Sequence, residues 1–99
     1  MTTGKRRSVP RWCARAGTLS WRGTILRRVR IDAVYLRCLL DAFEQQGWPE
    51  WIANPLPHQP GMSRKQRLRQ TLENLNRGMH LPGIRFHADK GGVRWQVHE

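Results

Sequence analysis

Ser63-Arg64-Lys65-Gln66-Arg67-Leu68-Arg69-Gln70-Thr71-Leu72-Glu73-Asn74-Leu75-Asn76-Arg77-Gly78, followed closely by Ile84-Arg85-Phe86-His87-Ala88-Asp89-Lys90-Gly91-Gly92-Val93-Arg94-Trp95-Gln96-Val97-His98, decides the fold. In the first stretch Leu68, Leu72 and Leu75 recur at helical spacing, so one stripe of a helix is apolar. Ser63 and Gln66 fit the capping box, and Gly78 marks the stop. In the second stretch Ile84, Phe86 and Ala88 alternate with Arg85 and His87. Beyond Asp89-Lys90-Gly91-Gly92 the alternation resumes: Val93, Trp95 and Val97 are expected inside, Arg94, Gln96 and His98 outside. That is a β-hairpin with a basic tip and a basic outer face.

Upstream lies a second helical pattern. Leu36, Leu39, Leu40 and Phe43 fall at i, i+3, i+4 and i+7, and Tyr35, Cys38 and Ala42 widen that face. Asp32 is placed to cap this helix, Gly47 to stop it, and Pro49 follows. More than half its circumference is apolar, so it is expected to be the central core helix. Before it, Leu19 and Trp21 alternate with Ser20 and Arg22. Arg22-Gly23 suits a tight turn, and Thr24, Ile25, Leu26 and Val29 continue in β-prone residues. After it, Trp48, Trp51 and Ile52 suit one middle helical turn, and 53–62 reads as an extended proline-rich loop. Residues 1–16 carry Lys5, Arg6, Arg7, Arg11 and Arg15 without an acid and read as a disordered basic arm, with Trp12 placed to tack its end onto the body. Residues 17–99 are then the folded domain, in the α+β class.

Charge dominates the composition of these 99 residues: 18 Lys and Arg face 7 Asp and Glu, a formal net charge of +11. Such an excess favours a polyanionic partner. The cations are overwhelmingly arginine, whose planar fork pairs bidentately with phosphate or guanine. No apolar run reaches the length of a spanning helix, and no apolar stretch follows the basic start, so neither a membrane span nor a signal peptide is expected. Cys13 and Cys38 form no disulfide framework, which suits a reducing, cytoplasmic, nucleoid-associated setting.

With the leucines of 63–78 turned inward, the outward stripe holds Arg67, Gln70, Asn74 and Arg77. These side-chain types match the donor and acceptor pairs of base edges in the major groove. Arg64, Lys65 and Arg69 beside them, Arg85, Lys90 and Arg94 on the hairpin, and Lys5, Arg6 and Arg7 in the arm are expected to meet phosphates. Exposed tryptophans would favour stacking on single strands instead, but Trp48, Trp51 and Trp95 all read as core.

The order of these parts resembles a winged helix, in particular the output domain of response regulators, over about residues 18–98. That resemblance implies a winged helix-turn-helix: N-terminal short strands, two main helices with a short middle turn, and a C-terminal hairpin wing. It implies a last helix in the major groove and a wing on the flanking backbone. The proline-rich loop at 53–62 departs from the compact turn of that family. Phe43-Glu44-Gln45-Gln46-Gly47-Trp48-Pro49, Asn54-Pro55-Leu56-Pro57, Arg67-Leu68-Arg69-Gln70-Thr71, Leu75-Asn76-Arg77 and Val93-Arg94-Trp95 also resemble a small uncharacterised family of planctomycete-type bacterial proteins, which implies no activity.

Catalytic and metal chemistry find no footing in this pattern. The seven acids are scattered, and His58, His80, His87 and His98 lack zinc-ligand spacing with one another or with the cysteines. The expectation is a non-enzymatic double-stranded DNA binder without a cofactor, acting in transcription regulation or on a chromosome or mobile element. RNA binding and protein docking are the rival functions, and a homodimer is compatible with so short a reading helix.

Overall fold

The computed structural model describes residues 8–58, 60–79 and 83–97. The elements run β1 (Arg11–Cys13), β2 (Thr18–Trp21), β3 (Thr24–Arg28), α1 (Val34–Gln45), β4 (Trp51–Ala53), α2 (Arg64–Arg77), β5 (Ile84–Asp89) and β6 (Gly92–Val97). They build two three-stranded antiparallel sheets, ordered β1-β2-β3 and β4-β6-β5. Each sheet contains a hairpin closed by two residues. Trp21 pairs with Thr24 around Arg22-Gly23, and Asp89 pairs with Gly92 around Lys90-Gly91. In both turns the two central residues have positive φ, 52° and 82° in the first, 50° and 78° in the second. That is the type I′ geometry whose twist matches the strands, and glycine at the second position adopts it without strain.

One core joins the two sheets. Leu36, Leu39, Leu40 and Phe43 of α1 are all buried, as their spacing requires, with Tyr35, Cys38 and Ala42 packed at the rim. Phe43 stacks on Trp48 with ring centres 4.9 Å apart. Trp95 of β6 meets Trp48 at 6.3 Å and Trp21 of the first sheet at 5.9 Å, both edge to face. The aromatic chain therefore ties β2 to β6 through the middle of the molecule, and Trp48 and Trp95 are core residues as expected.

Helix α2 is held from three sides. Its inner stripe is Leu68, Thr71, Leu72 and Leu75. The Ser63 hydroxyl accepts the Gln66 backbone N–H at 3.0 Å, satisfying one donor of the first turn. The Asn76 side chain reaches the edge strand β5, donating to the Phe86 carbonyl at 2.9 Å and accepting the Phe86 N–H at 3.0 Å. One carboxamide thus supplies both partners that a neighbouring strand would give Phe86. At the far end the Arg27 guanidinium of β3 donates to the carbonyls of Leu75 and Asn74, at 3.1 and 3.3 Å. A cation at a helix C-terminus also meets the negative end of the helix dipole.

Several sequence expectations are corrected. The disordered arm over 1–16 does not hold in its described part, because Arg11–Cys13 form β1 against β2 and Trp12 is buried. The Trp12 indole N–H donates to Asp41 at 2.7 Å and its backbone N–H to Glu44 at 2.8 Å. The acids of α1 therefore draw this segment onto the core; Lys5, Arg6 and Arg7 lie outside the described residues. Asp32 does not cap α1. The first α-helical hydrogen bond runs from Arg37 to Ala33, which puts the cap position one residue downstream of Asp32, and the Asp32 carboxylate lies 3.4 Å from Arg30 in solvent. Nor does Trp51 lie in a middle helical turn. Trp51–Ala53 pair with Arg94–Gly92 as β4, because an unpaired edge of β6 needs partners and three residues suffice to supply them. Ala88 and Val97, expected inside, are exposed near the two ends of the hairpin, where the core no longer covers them. His80 and His98 lie outside the described residues.

The β4–β6 pairing has a testable signature at Gly92. A Cβ there would collide with the Ile52 carbonyl and the Trp51 ring. Gly92→Ala is expected to lower stability by about 2–3 kcal/mol, read from urea denaturation midpoints. An unchanged midpoint would remove β4 from the sheet.

Candidate nucleic-acid interface

The amphipathic period of α2 decides which side chains reach solvent. Burial of Thr71 beside the leucines turns the exposed face slightly from where the leucines alone put it. Gln66, Gln70, Glu73 and Arg77, at i, i+4, i+7 and i+11, form its centre, with Arg69 on one flank and Asn74 on the other. Gln66 and Glu73 were not assigned to the base-facing set from sequence, although at about 100° per residue the three leucines alone already turn Gln66, Gln70 and Arg77 to the centre of the exposed face.

The expected base-facing set is only partly brought together. Gln70, Asn74 and Arg77 are exposed, but Arg67 is not with them. Its guanidinium lies over the Tyr35 ring of α1, 4.3 Å from the centroid, because the helix–helix contact claims that flank of α2. The Asn74 side-chain oxygen accepts a hydrogen bond from Arg27 at 3.2 Å. Arg27 itself has a lowered pKa, chiefly because burial strips its hydration and secondarily because Arg77 is near.

The expected phosphate contacts separate into two groups. Arg64 and Lys65 are exposed in the first turn of α2, Arg69 is exposed in the second, and Lys90 is exposed at the hairpin tip. Arg64 is steadied by donating to the carbonyls of Asn54 and Leu56, both at 3.3 Å. Arg94, by contrast, is bound to Asp89 at 2.9 Å with Glu50 3.7 Å away, so neighbouring acids offset its charge. Arg85 is half-buried and folds back on the Ile84 carbonyl.

Between the start of α2 and the hairpin lies an open cleft of about 690 Å³. Arg64, Lys65 and Leu68 form one wall, Ala88 to Gly92 the other, and Ala53 and Asn54 the floor. Asp89, the acid in this lining, is committed to Arg94. The cleft is therefore lined by cations from both sides, Arg64 and Lys65 in the first turn of α2 and Lys90 at the hairpin tip.

Trp51 differs from its expected place. Its ring packs over Gly92 and its indole N–H donates to the Asp89 carbonyl at 2.7 Å, yet the side chain is exposed on the outer face of the second sheet. Cys38 is tied to the core: its thiol donates to the Pro55 carbonyl at 3.5 Å, and burial, then Asp41, raise its pKa. Among the described residues no group of three His, Cys, Asp or Glu side chains could hold a metal, and no helix is long and apolar enough to cross a membrane.

A scan against protein-family models finds no match, and neither the curated proteins nor the solved structures provide one.

Proposed function

We propose that this chain binds double-stranded DNA as a small winged-helix protein, with α2 in the major groove and the β5–β6 hairpin on the flanking backbone. The observation that carries this reading is the cationic cleft, which sets Arg64 and Lys65 of α2 opposite Lys90 of the hairpin. A helix face and a ribbon tip of the same charge, spaced by an open groove, suit two phosphate strands flanking one groove.

The order of elements supports the same reading. A core helix, a strand, a basic helix and a hairpin follow one another, with β4 beside β6. The segment over 54–62 stands where a winged helix has its middle helix, so the docking angle of α2 is its own. Base contacts fall to Gln70, Asn74 and Arg77, joined by Gln66; Arg67 serves the α1–α2 contact. Transcription regulation or chromosome association is the role such a binder would fill. Exposed Trp51 favours one rival, stacking of unpaired RNA or DNA bases on the second sheet.

Fluorescence anisotropy with labelled duplex DNA, single-stranded DNA and hairpin RNA, each over a range of salt, separates these readings. The duplex is expected to bind tightest, with a log–log salt slope of about −7 if eight phosphates are contacted. Preference for hairpin RNA, lost in Trp51→Ala, would transfer the function to the rival. Weak binding of all three at physiological salt would remove nucleic acid as the partner.

A further inference from the structure

The orientation of Asn74, on the proposed reading face of α2, is imposed by another element. Arginine carries only donors, so the atom of the Asn74 carboxamide turned toward Arg27 must be the oxygen. The 3.2 Å contact from the Arg27 guanidinium to Asn74 Oδ1 therefore fixes the flip of the amide. The guanidinium is itself held in place, by the Leu75 and Asn74 carbonyls and by the Arg28 carbonyl at 2.9 Å. It lies flat against Gly78, where any Cβ would strike it. Four acceptors and one glycine thus define a seat for Arg27 at the end of α2.

We infer that Arg27 is a specificity-determining positioning residue: by holding Oδ1 of Asn74, it turns the amide N–H₂ group outward and makes Asn74 a reader of guanine rather than adenine. This rests on the duplex-DNA reading above. A free asparagine matches adenine because it accepts from N6 with its oxygen and donates to N7 with its nitrogen. Here the oxygen is engaged by a cation, and a second donor approaching it meets positive charge. What remains is a donor group, and guanine offers two acceptors, O6 and N7, on the same edge. Sequence reading assigned Asn74 to the groove but had no means of finding Arg27, which lies 47 residues away in the chain.

The test uses the full chain against a duplex library, with three variants: Asn74→Ala, Arg27→Met and Gly78→Ala. The last leaves Arg27 in the chain but unseats it, and Gly78 has φ −88°, which alanine adopts freely. Wild type is expected to prefer guanine over adenine at one position by about 5- to 100-fold. All three variants are expected to lose that preference at the same position. Circular dichroism and urea midpoints identify any variant that fails to fold, and Gly78→Ala then carries the comparison. If Asn74→Ala loses a preference that Arg27→Met and Gly78→Ala retain, the role of Arg27 is overturned while DNA reading by α2 stands. An adenine preference in wild type overturns it equally. ¹⁵N relaxation of the Asn74 side-chain amide in the free protein gives a readout without DNA: a rigid amide in wild type that loosens in Gly78→Ala is expected. Freely mobile in wild type, it would overturn the inference whatever the chain binds. A rigid amide together with no duplex binding would instead sink the DNA reading, and the specificity role with it.

Discussion

Trp12→Ala is expected to cost about 3–5 kcal/mol of stability, the range for removing a large buried aromatic from a packed core. Domains of this size are stable by only about 5–15 kcal/mol, so the variant would be near the edge of folding at 37 °C. Trp12 is 5 % exposed and sits on strand β1, which packs on α1. Its indole N–H ends on Asp41 and its backbone N–H on Glu44, whose same carboxylate oxygen accepts the Trp48 indole at 2.7 Å. Removing the ring leaves a cavity and an Asp41 acceptor without its donor, and of these two bonds from Trp12 to α1 it keeps the one from the backbone N–H to Glu44. Trp12→Phe keeps most of the volume and loses the hydrogen bond, so a smaller loss, about 1–2 kcal/mol, is expected. Urea denaturation midpoints measure both. A loss below about 0.5 kcal/mol for Trp12→Ala, the size of an ordinary surface change, would mean that residues 11–13 behave as an arm after all.

The same residue shows where sequence reading stops. The spacing Leu36, Leu39, Leu40 and Phe43 has one physical solution, an apolar stripe facing a core, so α1 was legible. The Ser63 cap and the Asp89–Gly92 turn were legible because capping and positive φ are local chemistry. Trp12 was not. Its neighbours Arg11 and Cys13 give an alternation only three residues long, inside a segment whose charge points to disorder. Its partners Asp41 and Glu44 are about thirty residues away. Strand β4 was hidden for a related reason: three residues between Pro49 and Pro55 have no period, and only the open edge of β6 makes them a strand. Within the candidate site, the wheel of α2 placed Gln70 and Arg77 correctly on the exposed face. It misplaced Arg67 because the position of Tyr35 on the facing helix is a tertiary fact. It left the state of Asn74 open because Arg27 comes from the other sheet. Local rules found the surfaces; which side chains remain available on them depends on long-range partners.

Availability also governs the charge. Replacing Arg64, Lys65 and Lys90 together by alanine is expected to weaken duplex binding on the order of 10–100-fold at 0.15 M salt. The log–log salt slope should become shallower by about 3, since each phosphate contact contributes roughly 0.9. These three side chains are exposed and wall the cleft between α2 and the hairpin. Arg22→Ala removes one exposed charge from the β2–β3 turn and provides the contrast. Arg22 is not among the residues that line the cleft, so the slope should stay within about 0.5 of wild type. Net charge alone makes a different forecast: four arginines or lysines would count alike, and Arg22→Ala would have about a third of the effect of the triple change. Anisotropy titrations of one duplex at several salt concentrations distinguish the two. If the slope falls in proportion to the charge removed, wherever it is removed, then binding is a diffuse attraction to the whole basic surface and the cleft has no special part in it. If it falls only for the cleft residues, the phosphates are met at fixed places, and the spacing of α2 from the hairpin becomes the property that selects duplex DNA.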